Sequence, residues 1–202
     1  MNEERATGII LRTRPLTETS LIVQWLTHEA GRISTVAKGA RRQKSPFVGK
    51  LDLYYEADFT FQRARKSSLH TLREVNLRAT RSELRKDYVA LEQTARAGRR
   101  VERATEEEAA IPEVFELFKS FLDEIAKPPL EASLLLAFEI KLLDLLGFAP
   151  VLEGSSLPIG SRRALEQLQS LPWPAIRRIK LSASQIFDME AFLDGSFREA
   201  MT

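Results

Sequence analysis

The chain has no cysteine among its 202 residues, which excludes disulfides, thiolate metal sites and a cysteine nucleophile. Histidine is nearly absent too. His28 and His70 are the only two, and neither has a nucleophile or carboxylate partner in local sequence, so neither catalytic residues nor a metal site are expected. Walker-type and dinucleotide-binding glycine patterns are missing, and no cofactor is expected. The richest apolar stretch, residues 134–148, is interrupted by Glu139, Lys141 and Asp144 and falls short of a membrane span. The start, Met-Asn-Glu-Glu-Arg, is acidic, unlike a signal peptide. A cytoplasmic protein with no membrane partner is the expectation.

A net excess of either charge is lacking, because Lys and Arg exceed Asp and Glu by only two. The distribution is nevertheless polarised. Residues 1–80 hold 14 Lys/Arg against 8 Asp/Glu, whereas residues 111–202 hold 9 against 13. A polyanionic partner would therefore meet the N-terminal part.

The first 80 residues read as five short strands at about 7–14, 21–27, 32–37, 53–62 and 69–75, with Gly31 suited to the second hairpin turn. In the fourth, Leu53, Tyr55, Ala57, Phe59 and Phe61 alternate with mostly polar neighbours, the period of a half-buried strand. So many strands with little room for helices predict a small closed barrel. From Ser82, a candidate N-cap, the period becomes helical through Leu84, Tyr88, Leu91, Ala95 and Val101. A second apolar stripe runs from Ile111 to Ile125, and residues 134–146 are apolar nearly all round, which places them at the centre of a bundle with Gly147 as the stop. A loop at about 150–160, a short helix at 162–169, a turn at 171–174 and a last helix at 185–193 complete the reading. The fold class is thus α+β by sequence order, with a barrel over residues 1–80 and an α-helical bundle domain over 81–202.

The run Lys38-Gly39-Ala40-Arg41-Arg42-Gln43-Lys44 puts four cations on a glycine-containing loop, where amides and long side chains can reach phosphates. A solvated basic loop is the competing account. Arg12, Arg14, Lys50 and the turn carrying Arg63, Arg65 and Lys66 favour the first if the barrel gathers them. Phe47, inside the basic region, is the candidate for base stacking; Tyr55, Phe59 and Phe61 share a strand face and read as core. Glu106, Glu107 and Glu108 read as a solvated helix start.

Gly8-Ile9-Ile10-Leu11-Arg12-Thr13-Arg14, Glu18-Thr19-Ser20 and the stretch from Gly31 through Ser45 closely resemble the N-terminal domain of the RecO family of bacterial DNA repair proteins. Phe138-Glu139-Ile140-Lys141-Leu142-Leu143 with Leu146-Gly147-Phe148-Ala149-Pro150 resembles the family's central helix. The resemblance spans roughly residues 6–152 and implies an N-terminal OB-fold followed by a helical domain. It also implies a non-enzymatic recombination mediator, nucleoid-associated, that binds single- and double-stranded DNA, anneals strands, contacts RecR and the C-terminal tail of SSB, and helps load RecA.

On that resemblance Arg12, Arg14, Lys38, Arg41, Arg42 and Lys44 are the expected DNA contacts. Many relatives carry a four-cysteine zinc site just after the position of Pro150, where this chain has Glu153-Gly154-Ser155-Ser156, and no metal is expected. Capture of an acidic, apolar SSB tail by the helical domain needs cations beside an apolar pocket, for which Lys141, Arg177 and Arg178 are the candidates. The alternative is an OB-fold interaction scaffold that grips RNA or an acidic protein tail.

Overall fold

The computed structural model describes residues 3–201. The chain divides into two compact units, Met1–Arg81 with Thr105–Glu116, and Ser82–Ala104 with Leu117–Thr202. The sequence suggested a single division at residue 80; the chain instead returns to the first unit once, because residues 105–116 make their contacts there.

The first unit is a closed five-stranded barrel of the OB type. Strands β1 (Glu3–Pro15), β2 (Leu21–Thr27), β3 (Gly31–Ala37), β4 (Glu56–Gln62) and β5 (Leu69–Ala79) neighbour one another in the order β1-β2-β3-β5-β4, and β4 returns to β1. All pairs are antiparallel except β3 with β5. Closure gives every strand two neighbours, although β3 and β5 pair over only three positions, and so limits the open edge that could recruit another chain. Inward residues Ile10, Val23, Ile33, Phe61, Leu72 and Val75 surround Trp25, whose ring stacks on Phe59 at 4.1 Å. The Trp25 indole N–H donates to Thr35 Oγ1 at 2.9 Å, so the one polar atom of the ring is satisfied inside the core.

Gly31 ends the β2–β3 turn with φ +69°. A Cβ there would lie 2.2 Å from the Ala109 carbonyl oxygen, so only glycine admits the close pass of the returning segment. That segment corrects the reading of the glutamate run as a solvated helix start. The Glu108 N–H donates to the Arg32 carbonyl at 2.9 Å, and its carboxylate lies 2.9 Å from Arg63 Nη1 and 3.1 Å from His70 Nε2. Arg63 thus pairs with Glu108, and Arg32 lies 3.7 Å from Glu107, two barrel arginines distant in sequence, while Glu106 stays exposed.

The fourth strand starts later than its alternation predicts. Tyr54 sits at φ +64° and is buried, while Leu53 is exposed. The 53–55 segment is therefore a turn, pinned to β1 by Tyr54 N–H to Ile10 O at 2.8 Å and Ile10 N–H to Tyr55 O at 3.0 Å. Glu56, polar yet 3% exposed, meets Arg81 Nη2 at 2.7 Å.

In the second unit a 3-10 turn (Ser82–Lys86) precedes α1 (Tyr88–Ala104), which is followed by α2 (Pro112–Ile125), α3 (Ser133–Leu145), α4 (Ile159–Ser170), the single turn α5 (Trp173–Ile176) and α6 (Ala183–Ala200). The division between units falls within α2. Ser82 is not the cap of α1: Asp87 Oδ1 accepts from the N–H groups of Val89 and Ala90. The buried face of α1 also differs from the expected one. Ala90, Thr94, Ala97, Gly98 and Val101 are buried, whereas Tyr88 is 78% exposed; small residues let the helix pack closely, and bulk was the wrong guide.

α3 is central as its all-round apolarity implies, touching α1, α4, α5 and α6. It ends at Gly147, φ +79°, with Phe148 N–H donating to Leu143 O at 2.8 Å. The loop at 150–160 is tied down by buried Leu152 and Leu157. The expected turn at 171–174 is in part the helical turn α5, and α6 extends beyond the expected 185–193, from a capping box made by Ser182 and Gln185.

Candidate nucleic-acid interface

Strand β1 sets two arginines beside residues of β2 and β3 on the outside of the barrel. Arg12, Gln24 and Ser34 form one row across β1, β2 and β3, and Arg14, Ile22 and Val36 form the next. Adjacent strands lie about 4.8 Å apart, so each row spans roughly 10 Å. Arg12 and Arg14 are exposed and line a shallow cavity of about 130 Å³ with Gln24, Ser34 and Glu107. Lys38, exposed, follows where β3 ends beside Leu21.

The loop beyond β3 is held by its own backbone. Successive turns are closed by Arg42 N–H to Gly39 O (3.0 Å), Ser45 N–H to Arg42 O (3.0 Å) and Lys50 N–H to Phe47 O (3.0 Å). Gly39 adopts φ +68°, a left-handed turn that favours glycine. The loop is fastened to the β1–β2 connection by Arg41 N–H to Thr19 O at 2.9 Å and Gly39 N–H to Ser20 Oγ at 3.3 Å. Ala40 and Phe47 plug into the core. Arg41, Arg42 and Lys44 are left exposed, and none of them, nor Lys38 or Arg14, has a salt bridge among the described residues. With the loop backbone already ordered, only the side chains are left to be ordered on meeting a phosphate.

Phe47 is accordingly not a stacking platform. At 6% exposure it belongs to the barrel core, because the loop needs an apolar anchor and the phenyl ring provides it. Its neighbourhood does hold an aromatic in reach of solvent, one the alternation pattern had assigned to the core. Tyr55, half-buried, lines a cavity of about 600 Å³ with Leu21, Leu51, Arg41 and Arg42.

Other cations near the barrel are already engaged. Lys50 Nζ donates to Val75 O at 3.0 Å. Arg63 pairs with Glu4 at 2.8 Å as well as with Glu108, and this hydrogen bond holds the Glu4 carboxyl below its usual pKa while raising that of Arg63. At Asp58, burial pushes the pKa up, but hydrogen bonds from Arg78 and Thr7 outweigh it and the net shift is downward. Arg65 and Lys66 remain exposed in their turn.

Two of the three helical-unit candidates are already bound to backbone carbonyls. Lys141 Nζ donates to Gln169 O at 2.6 Å, and burial lowers its pKa. Arg177 caps three carbonyls, those of Glu124, Lys127 and Pro129, at 2.8–2.9 Å. Arg178 alone of the three is exposed. What sequence spacing did contain, unread, is Arg96, Arg99, Arg100 and Arg103 along one face of α1. Arg96 and Arg100 both reach Glu139, at 2.9 and 3.0 Å, and Asp194. Burial opposes the Arg96 charge, but its hydrogen bond to Glu139 outweighs this and the Arg96 pKa rises. Among the described residues no group of three or more His, Asp or Glu is placed to hold a metal ion, and no helix is long and apolar enough to cross a membrane.

Comparison with known proteins agrees with both units. The family model described as Recombination protein O N terminal matches residues 1–81, and that described as Recombination protein O C terminal matches residues 85–157. Similar proteins include the DNA repair protein RecO of Rhodopirellula baltica, 35% identical over 143 residues that cover 71% of this chain and 53% of the relative. That of Alkaliphilus metalliredigens is 32% identical over 144 residues, covering 71% and 58%. That of Symbiobacterium thermophilum is 28% identical over 208 residues, covering 96% and 81%. The chain thus spans little more than half the length of the first two.

Proposed function

The chain belongs to the recombination protein O family, and from that premise we propose that its barrel binds DNA as a non-enzymatic mediator of repair and recombination. The observation that carries the reading is the ordered loop with Arg41, Arg42 and Lys44 exposed and, among the described residues, unpaired by carboxylates. Arg12, Arg14 and Lys38 extend it along the sheet face. These side chains meet phosphates, which carry no sequence information, so affinity is sequence-independent and salt-sensitive. Single strands and duplexes are both ligands at this level, as strand annealing and the loading of RecA on SSB-coated DNA require. RecR and the SSB tail are the protein partners that family membership brings to this chain, and Arg178 is the cation of the expected tail rim still open to one. The setting is the cytoplasm, at the nucleoid.

Replacing Arg41 and Arg42 together by glutamate tests the reading. Removal of two phosphate contacts lowers the magnitude of the log–log salt slope on a single strand by about 1.4, at about 0.7 per contact. Binding weakens alike on all sequences, while stability changes by no more than about 0.5 kcal/mol because both side chains are exposed. Titration of single-stranded DNA, duplex DNA and RNA across salt concentrations measures both quantities. Wild-type-like DNA affinity in the double variant overturns the assignment, and a preference for RNA redirects it to the scaffold reading.

A further inference from the structure

The segment that returns to the barrel places a carboxylate at the end of the face that carries Arg12 and Arg14. We propose that Glu107 is an autoinhibitory contact, a held negative charge that opposes phosphates arriving at Arg12 and Arg14 and so limits the affinity of the barrel for nucleic acid; the inference rests on the DNA-binding reading and extends it. Residues 105–116 belong to the same compact unit as the strands, and Glu107 forms a parallel bridge with Arg32 of β3. Ile33 lies in the core, so Arg32 and Ser34 on either side of it point outward. A bridged partner shares that face. Glu107 therefore stands outside the barrel, beside the β3 residue two positions from the row of Arg12, Gln24 and Ser34. The cavity of about 130 Å³ that Arg12, Arg14 and Ser34 line has Glu107 as its acidic wall.

The backbone on both sides of Glu107 is fastened to β3. Arg32 Nη2 donates to Thr105 O at 2.9 Å, and the Arg32 carbonyl accepts the Glu108 N–H at 2.9 Å. The Glu107 charge is not consumed by its neighbour. Its oxygen lies 3.7 Å from Arg32 Nη1, longer than a hydrogen bond. Of the two side chains Arg32 is 16% exposed and Glu107 48%, so a ligand arriving from solvent meets the carboxylate. Glu108, by contrast, is turned to Arg63 and His70, and Glu106 does not line the cavity. A phosphate beside Arg12 and Arg14 gains from two cations and loses to one nearby anion. That opposition acts through solvent, so it is strongest in dilute salt.

The test uses the full chain and fluorescence anisotropy with a single-stranded oligonucleotide and the matching duplex, across salt concentrations. A like charge about 4–8 Å from a phosphate weakens binding about two- to six-fold in water. Glu107→Gln, which removes the charge and keeps the shape, is expected to tighten binding to both DNAs by that factor in dilute salt, the gain falling as salt rises. Glu107→Ala shows the same gain, a second reading should the glutamine disturb the segment. Glu106→Gln makes the same change in net charge outside the cavity and gains well under half as much. In an Arg12→Gln/Arg14→Gln protein the gain from Glu107→Gln disappears, a coupling that a general change in charge does not produce. Wild-type affinity in a folded Glu107→Gln protein, an equal gain from Glu106→Gln, or a gain undiminished without Arg12 and Arg14 overturns the proposal. If affinity depends on Arg41 and Arg42 but not on Glu107, this inference alone fails; if Arg41 and Arg42 carry none of it, the DNA-binding reading fails with it.

Discussion

The barrel and the helical unit use arginine for opposite purposes. In the barrel, a loop anchored by Ala40 and Phe47 holds Arg41 and Arg42 out where no described carboxylate reaches them. In the helical unit, Arg96 and Arg100 converge on Glu139, which is 0% exposed, and Arg177 is bound to three backbone carbonyls. Residue type alone does not separate the two. The difference lies in what the fold brings within about 4 Å: a cation facing a buried carboxylate becomes part of the interior, and one facing only water remains available to a ligand. Net charge therefore understates the polarity of the molecule, since Lys127, Lys141, Arg177 and Lys180 of the acidic half each already have a partner within the protein.

The largest effect that can break this comparison is on the helical side. Replacing Arg96 and Arg100 together by alanine leaves Glu139 buried without its counter-charges. Stranding one partner of a buried pair costs about 3–5 kcal/mol. Chemical denaturation is expected to show a loss of that size, and a loss under about 1 kcal/mol would show that the pair is not structural.

A smaller effect sharpens the barrel side. Phe47→Leu removes no cation yet loosens the anchor of the loop, at about 1–2 kcal/mol for a few lost buried carbons. If Phe47 acts through the loop, the DNA salt slope stays at its wild-type value while affinity falls and amide exchange across residues 38–44 speeds up. Unchanged affinity and exchange would remove Phe47 from the account of the interface.

The smallest effect concerns a barrel cation that behaves like those of the helical unit. The Arg63 hydrogen bond holds the folded-state pKa of Glu4 below its unfolded value. The resulting stability is present above the unfolded pKa and is lost as pH falls through the folded one. Both side chains are more than a third exposed, 35% and 36%, so solvent screening limits the pair to less than about 1 kcal/mol. Glu4→Gln is expected to flatten the acid limb of the stability curve by that amount and to leave stability near pH 7 lowered by as much. Coincident curves for wild type and variant would remove the pair from the stability of the barrel.

Much of the architecture was legible because elements are encoded by short-range periods. The barrel strands, the second and third helices and the stop at Gly147 follow from alternation, 3.6-residue spacing and glycine at positive φ. The misreadings have a shared origin. Alternation through Tyr54 and Tyr55 continued past the point where a turn interrupts it, and α1 shows the solvent its large Tyr88 while packing small residues. Periodicity reports which residues share a face, not which face the rest of the protein covers.

What the sequence determined by itself is the order of strands and helices, the cationic loop after β3 and the family to which the chain is similar, all properties of residues close in sequence or shared in order with relatives. What only the tertiary structure decided is which charges and rings are spent. Arg63 meets Glu4 across 59 positions and Arg96 meets Glu139 across 43, Phe47 turns inward, and Tyr55 lines a cavity while packing partly on the core. An ion pair or a pocket wall depends on distances of a few ångströms between segments far apart in the chain, and those distances exist only once the barrel has closed and the helices have packed.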